Sequence, residues 1–262
     1  MDRLAQLQRS LAERADADAE PDSLDRLNVM AVHGQWHIDF YGDPFGEAYE
    51  ELMSVLALPE VAGSMVSLSL RGPDEGSNGT RNWNISMLAE SPTALPRLRS
   101  LSLERTRPAD HNRSIVARDY DEDGVLAALL AKAPRLEFLE SPSAPNAEFF
   151  KVGRRPLRFL SVDAGFDHQI FIGNLARSSC FPDLRHLEFG EFAETYMEDF
   201  NSFVTPLADY QSLFASPAFA PVRGFVWRNP ACSAEDIASL KAIDESRQIL
   251  VVRWSADWIT SR

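Results

Sequence analysis

Residues 157–162 read LRFLSV, an apolar-x-x-apolar-x-apolar phrase that recurs along most of the chain. Close copies are LRSLSL at residues 98–103 and LRHLEF at residues 184–189. Weaker copies begin at residues 35, 65, 136, 222 and 249. The copies start about 30 residues apart on average, a spacing typical of repeat proteins. Repetition of a short apolar phrase predicts one strand in each repeat.

A helical pattern separates successive copies of the phrase. Residues 49–56 place Tyr49, Leu52, Met53 and Leu56 on one helix face, and residues 125–130 repeat the pattern. Proline precedes many of the phrases and turns the chain into the next strand. Because parallel neighbours need a crossover connection, we expect the strands between residues 65 and 254 to pair in parallel, in chain order.

The N-terminal part of the chain has a different pattern. Leu4, Leu7 and Leu11 lie at helical spacing, and residues 15–22 (ADADAEPD) are typical of an acidic linker. His33-Gly34 separates two apolar runs and predicts a turn between strands that cap the repeats. We therefore divide the chain into residues 1–22, a helix and an acidic linker, and residues 23–262, a repeat domain with N-terminal cap strands.

Over residues 35–255 the chain resembles the leucine-rich repeat family, in particular the ribonuclease-inhibitor-like α/β type. The resemblance implies an α/β fold, a right-handed solenoid with parallel strands on the concave face and helices on the convex face. The chain departs from the family pattern where an asparagine normally follows the phrase; Gly165 is one of the residues found there. The repeats are also uneven in length, so we expect irregular repeat geometry.

Composition narrows the class of partner. The formal charge is -13, from 39 acidic and 26 basic residues. Such a surface repels phosphate backbones and favours basic partners, so we expect no nucleic-acid binding. Two distant cysteines, Cys180 and Cys232, form neither a disulfide framework nor a zinc motif. Without an apolar run of signal-peptide or membrane-span length, the sequence predicts a cytoplasmic protein that does not enter a membrane.

Strand alternation places the third, fifth and seventh residues of each phrase on the concave face. We expect carboxylates there to project into solvent beside outward-facing rings, with Glu191 following in the next loop. The predicted partner-binding residues are Glu104, Glu140, Asp163, Glu188, Phe138, Phe159, His186 and Glu191. Exposed aromatic rings among carboxylates are typical of a protein interface. The alternative is a solvated acidic face whose phenylalanines are covered by a loop or a terminus.

Catalytic motifs are missing from the sequence: it has neither a nucleophile elbow nor workable metal-ligand spacing. The glycine-rich residues 72–79 lack the lysine of a phosphate-binding loop. We therefore predict a non-enzymatic protein-binding module without metal, cofactor or small-molecule substrate. Among such modules, an inhibitor or immunity-type protein that masks a basic partner is the sharper hypothesis. The alternatives are a hydrolase that uses His186, Glu188 and Asp163, and a structural subunit of a larger assembly.

Overall fold

The computed structural model describes residues 2–17, 25–74, 76, 79–118, 122–191, 203–243 and 246–253. Within these ranges the chain is an α/β structure built on a mostly parallel sheet. The helices are α1 (Asp2–Ala17), α2 (Glu47–Leu56), α3 (Pro59–Ala62), α4 (Ser86–Glu90), α5 (Val125–Lys132), α6 (Phe171–Ala176), α7 (Leu207–Phe214) and α8 (Ala234–Lys241). A 3-10 helix covers Ala147–Lys151.

The strands that the repeated phrase predicts form most of the main sheet. Its nine strands, in spatial order, are β1 (Arg26–Val32), β2 (Gln35–Tyr41), β3 (Met65–Arg71), β5 (Ser100–Leu103), β7 (Phe138–Ser141), β8 (Phe159–Asp163), β9 (His186–Gly190), β10 (Gly224–Arg228) and β11 (Gln248–Val252). β1 and β2 form the antiparallel hairpin predicted at His33-Gly34, and every later pair is parallel. The predicted parallel pairing in chain order is confirmed for the described strands.

The core lies between this sheet and the row of helices. Leu157, Leu160 and Val162, the first, fourth and sixth residues of the phrase that defines the pattern, are fully buried. Tyr49 and Leu52, from the helical stripe of α2, are buried in the same continuous core. The phrase thus forms strands because its apolar residues alternate and one side of the strand meets a single core.

The N-terminal helix is longer than predicted. Its apolar side chains Leu4, Leu7 and Leu11 are buried, as their spacing indicated, and α1 packs on β1. The helix continues to Ala17, into the segment that the sequence assigned to the acidic linker. Residues 18–22 of that linker lie outside the described part of the chain.

The last strand has a different register from the one predicted. Gly224 pairs with Gln248, so the phrase begins at residue 246 rather than at residue 249. Assigning Val251 and Arg253 to the open face is therefore wrong, and Gln248 and Leu250 take those positions. The cause is the uninterrupted apolar run at residues 249–252, since a run without alternation fits either register.

A second, two-stranded sheet lies beyond the carboxyl ends of the first strands and was not predicted. It pairs β4 (Thr80–Asn82) with β6 (Arg113–Ile115) in parallel. Both strands are three residues long, too short for a period to show in the sequence. In the described ranges, every helix is too short or too polar to cross a membrane.

Candidate functional site

Three rings stand in line across the middle of the open sheet face. Phe138 on β7, Phe159 on β8 and His186 on β9 occupy the same register position, and each is half-buried. The two phenylalanine rings stack at 4.3 Å and 9°, and Phe159 stacks on His186 at 4.9 Å and 7°. These residues, here called the aromatic ladder, lie on the face that the alternation predicted.

Small residues flank the aromatic ladder at both ends. Ser100 on β5 pairs with Phe138, and Gly224 on β10 pairs with His186. A Cβ atom built on Gly224 would lie 3.0 Å from Nδ1 of His186, so only glycine leaves the imidazole its full space. Because these neighbours are small, the outer faces of the Phe138 and His186 rings are left uncovered by them. A planar group could stack on either face.

Beside the ladder lies a network of charged side chains from five successive strands, here called the sheet cluster. It consists of Arg105, Glu140, Asp163, Glu188 and Arg228. Arg105 contacts Glu140 at 2.8 Å, Asp163 at 3.8 Å and Glu188 at 3.5 Å. Arg228 contacts Asp163 at 2.7 Å and Glu188 at 2.5 Å. The two guanidinium groups thus join the three carboxylates into one structure.

The prediction that the carboxylates project freely into solvent is wrong. Glu140, Asp163 and Glu188 are 23%, 16% and 17% exposed and are bound to arginine. Serine hydroxyls add further hydrogen bonds, from Ser102 to Glu140 at 2.7 Å and from Ser161 to Glu188 at 3.1 Å. With two guanidinium groups against three carboxylates, the sheet cluster carries one net negative charge rather than three.

Neighbouring charged groups determine the direction of the pKa shifts of two members of the sheet cluster, Glu188 and Arg105. Burial alone would raise the pKa of Glu188, but the hydrogen bond from His186 and the charges of Arg228 and Arg105 outweigh it and lower that pKa. Burial likewise opposes the charge of Arg105, yet the neighbouring Asp163 and Glu140 raise its pKa above the ordinary value. Both shifts favour the charged forms of Glu188 and Arg105 at neutral pH.

A glycine makes room for the ion pair at the edge of the cluster. Gly190 follows Phe189 on β9, and a Cβ atom there would lie 2.1 Å from Oδ1 of Asp163 and 3.2 Å from Nε of Arg228. A side chain at this position would occupy the space in which the carboxylate and the guanidinium meet. The glycine is thus a positioning residue for the pair, and the repeat pattern gave no signal of it.

Glu104 is not part of this open face. It is 8% exposed and accepts a hydrogen bond from the Gly72 backbone at 2.9 Å. It lies 3.9 Å from Arg81, which also binds Asp110 at 3.0 Å and Ser114 at 2.9 Å. We call Arg81, Glu104 and Asp110 the loop cluster. The prediction that Glu104 faces solvent is wrong because the β4–β6 layer covers it.

Glu191 is buried as well, with 5% of its surface exposed, so its predicted exposure is wrong. The hydroxyl of Tyr210 donates to one carboxylate oxygen, and the backbone and hydroxyl of Thr205 donate to the other at 3.3 and 3.2 Å. Burial raises the pKa of Glu191 to about 7.

The acidic residues that follow Glu191 in the sequence, Glu194, Glu198 and Asp199, lie outside the described ranges. The three residues of the hydrolase alternative do lie close together. Nε2 of His186 is 3.0 Å from Glu188, but Asp163 is held by Arg228 rather than directed at the imidazole. An ionised Glu188 bound to two arginines has little basicity to offer a reaction at neutral pH.

Elsewhere on the surface, exposed apolar side chains border a groove of about 700 Å³ next to α2 and α4. Phe45 and Met87 are 63% and 48% exposed beside it. Within the described ranges, no three or more histidine, cysteine, aspartate or glutamate side chains are grouped so that they could hold a metal ion. The aromatic ladder with the sheet cluster is therefore the arrangement that most resembles a binding site.

Comparison with known proteins adds no family: no protein-family model matches the chain, and no curated protein matches its sequence.

Proposed function

We propose that the protein is a divergent leucine-rich-repeat solenoid of the ribonuclease-inhibitor-like α/β type, and that it binds another protein through the open face of the sheet. The repeated strand phrase and the parallel strand order support this fold. Strands stack about 4.8 Å apart, whereas packed helices need about 8–10 Å, so a sheet backed by one helix per strand curves with its open face inward.

The observation that carries the binding proposal is the half-exposed aromatic ladder beside the sheet cluster. Rings that lie partly in solvent gain free energy when a partner covers them, and aromatic side chains are frequent anchors of interfaces. The ion-paired side chains around them are already held in place, so binding orders few additional groups. The aromatic ladder, with the ion-paired side chains of the sheet cluster beside it, is therefore suited to binding a protein.

The charge of the region favours a basic partner. The sheet cluster is negative by one charge and the whole chain carries -13. A cationic side chain of the partner would therefore be steered toward the face. We propose a non-enzymatic role in which the chain masks such a partner, as an inhibitor or immunity-type protein does.

Phe159→Ala tests the site because Phe159 contacts both other rings of the ladder. The matched control is Phe45→Ala, which removes the same side chain from the groove beside α2. Wild type and both variants serve as bait in a native lysate, and captured proteins are identified by mass. We expect a partner that wild type and Phe45→Ala retain and Phe159→Ala loses. The reverse pattern would move the site to the α2–α4 groove and overturn the proposal.

A further inference from the structure

A row of arginines lies outside the open face of the sheet, at a position of the repeated phrase other than the third, fifth and seventh. The second residue of the phrase is an exposed arginine on three adjacent strands: Arg158 precedes β8, Arg185 precedes β9 and Arg223 precedes β10. Arg247 holds the same position before β11, but it is partly buried and lies over the ring of Phe219. All three side chains are exposed. They lie at the edge where the strands begin, and we call them the basic row.

The backbone places these arginines in equivalent positions. The N–H groups of Arg185 and His186 both donate to the carbonyl of Arg158, at 2.8 and 3.0 Å. The N–H groups of Arg223 and Gly224 donate in the same way to the carbonyl of Arg185, at 2.8 and 3.2 Å. Because the local geometry repeats, the side chains leave the backbone in the same direction, with about 4.8 Å between neighbouring strands.

The positive charge of the basic row is not neutralised by nearby carboxylates of the described chain. Glu137 holds the equivalent position beside Arg158, but its ion pair is with Arg99 on its other side. Arg185 donates to the carbonyl of Pro221 at 3.1 Å, a neutral group. No ion pair joins the basic row to a carboxylate in the part of the chain that the structure describes. Like charges on adjacent strands destabilise a sheet, so the row is an unfavourable feature of the isolated protein.

We infer that the basic row is a second docking surface, which binds an extended acidic segment of a partner protein. Three guanidinium groups over about 10 Å match roughly four residues of an extended peptide, and arginine binds carboxylates in a two-pronged geometry. The net charge of -13 opposes the approach of a long polyanion, whereas a short segment meets only the row. This inference does not depend on the aromatic ladder.

The test uses a fluorescent oligoglutamate peptide of about ten residues, long enough to span the row. Its affinity is measured by anisotropy at low and at physiological salt for the full chain. The variant carries Arg158→Gln, Arg185→Gln and Arg223→Gln together. The matched control carries Arg3→Gln, Arg9→Gln and Arg177→Gln, three exposed arginines elsewhere on the surface, so that both variants have the same net charge.

We expect the row variant to bind the peptide at least about tenfold more weakly and the control within about twofold of wild type. The melting temperature of the row variant should stay unchanged or rise, since like-charge repulsion is removed. Equal weakening in both variants, or no binding by wild type, would overturn the inference. Tighter binding of a single-stranded oligonucleotide of equal charge through the same arginines would replace the acidic segment with a nucleic acid.

Discussion

The loop cluster and the sheet cluster contain the same residue types but differ in burial. In the loop cluster, Arg81, Glu104 and Asp110 are 4%, 8% and 11% exposed. In the sheet cluster, Arg105 and Glu140 are 22% and 23% exposed. One arginine–carboxylate network is sealed between two sheets, and the other opens on solvent beside the aromatic ladder.

Arg81 and Arg105 also differ in the kind of group to which they donate hydrogen bonds. Arg81 donates to the backbone carbonyls of Gly72 and Pro73, each at 2.9 Å, and so ties the chain after β3 to β4. Within the described residues, Arg105 bonds to side chains from three other strands, those of Glu140, Asp163 and Glu188. The same chemistry therefore holds loops together in one place and forms a preorganised polar surface in the other. Arg228, which is 5% exposed and donates to the carbonyl of Val162 at 3.3 Å, is the member of the sheet cluster that most resembles Arg81.

The largest expected effect is that of Arg81→Ala. It leaves Asp110 without its cation and Glu104 with only the exposed Arg107, and breaking a buried pair in this way costs about 3–5 kcal/mol of the free energy of unfolding. Arg107→Ala is the control, because Arg107 also binds Glu104 but is 66% exposed, and it should cost less than about 1 kcal/mol. Urea unfolding compares the two. A loss below about 1 kcal/mol for Arg81→Ala would contradict a structural role of the loop cluster.

Glu191 sharpens the comparison because it is buried without an ion pair to any described residue. Its pKa in the folded protein is about 7, whereas the ordinary value is 4.5. The folded state therefore holds the proton more tightly, and the stability that Glu191 contributes is full below pH 4.5 and falls as pH rises through 7. Relative to Glu191→Gln, wild type should lose up to about 3 kcal/mol on going from about pH 5 to about pH 8.

Glu188→Gln serves as the control for this pH series. The pKa of Glu188 is lowered, so its contribution to stability is lost only as pH falls below the ordinary range of a carboxyl group. The stability difference between wild type and Glu188→Gln should stay constant between about pH 5 and about pH 8. A constant difference for Glu191→Gln as well would show that Glu191 is ionised throughout and that its burial costs less than we infer.

Arg228→Gln should have an intermediate effect. Arg228 is 5% exposed and binds Asp163 and Glu188, which keep some contact with water. We expect a loss of about 2–3 kcal/mol, less than for Arg81→Ala, because the carboxylates left behind can be hydrated. Unfolding in urea measures it. A loss as large as that of Arg81→Ala would break the distinction between the two clusters.

The smallest change in stability is expected for Arg105→Gln. Its guanidinium is partly exposed, and its partners among the described residues are side chains. Ion pairs of this kind contribute at most about 1 kcal/mol, so the melting temperature should change little. The orientation of Glu140 should loosen, and binding of the partner should weaken more than folding does. Equal losses in folding and in binding would indicate that Arg105 is structural.

Local pattern was enough to predict much of the fold. The repeated phrase gave the strands and their parallel order, and helical spacing gave the buried faces of α1, α2 and α5. Strand alternation also placed Phe138 and Phe159 side by side on the open face. These predictions hold because each depends on residues within one repeat or on equivalent positions in successive repeats.

Contacts between distant repeats were not predictable in this way. Arg105 and Arg228 come from the ends of strands that three others separate, and both meet Asp163 and Glu188. Arg228 is the seventh residue of its phrase, a position that the alternation places on the open face, whereas Arg105 lies one residue beyond that position and its direction does not follow from the pattern. Glu104 is buried by a layer of two very short strands without a period of their own. Counting carboxylates at the open-face positions therefore overestimated the negative charge of that face.

The central claim is that the aromatic ladder binds the partner, and affinity for the recovered partner tests it most directly. Titrations with Phe159→Ala and with Phe45→Ala are compared with wild type at low and at high salt. We predict that Phe159→Ala binds about tenfold or more weakly with an unchanged salt dependence, since a ring acts by burial, and that Phe45→Ala binds as wild type. Affinity of Phe159→Ala equal to that of wild type, with the fold intact, would contradict the account.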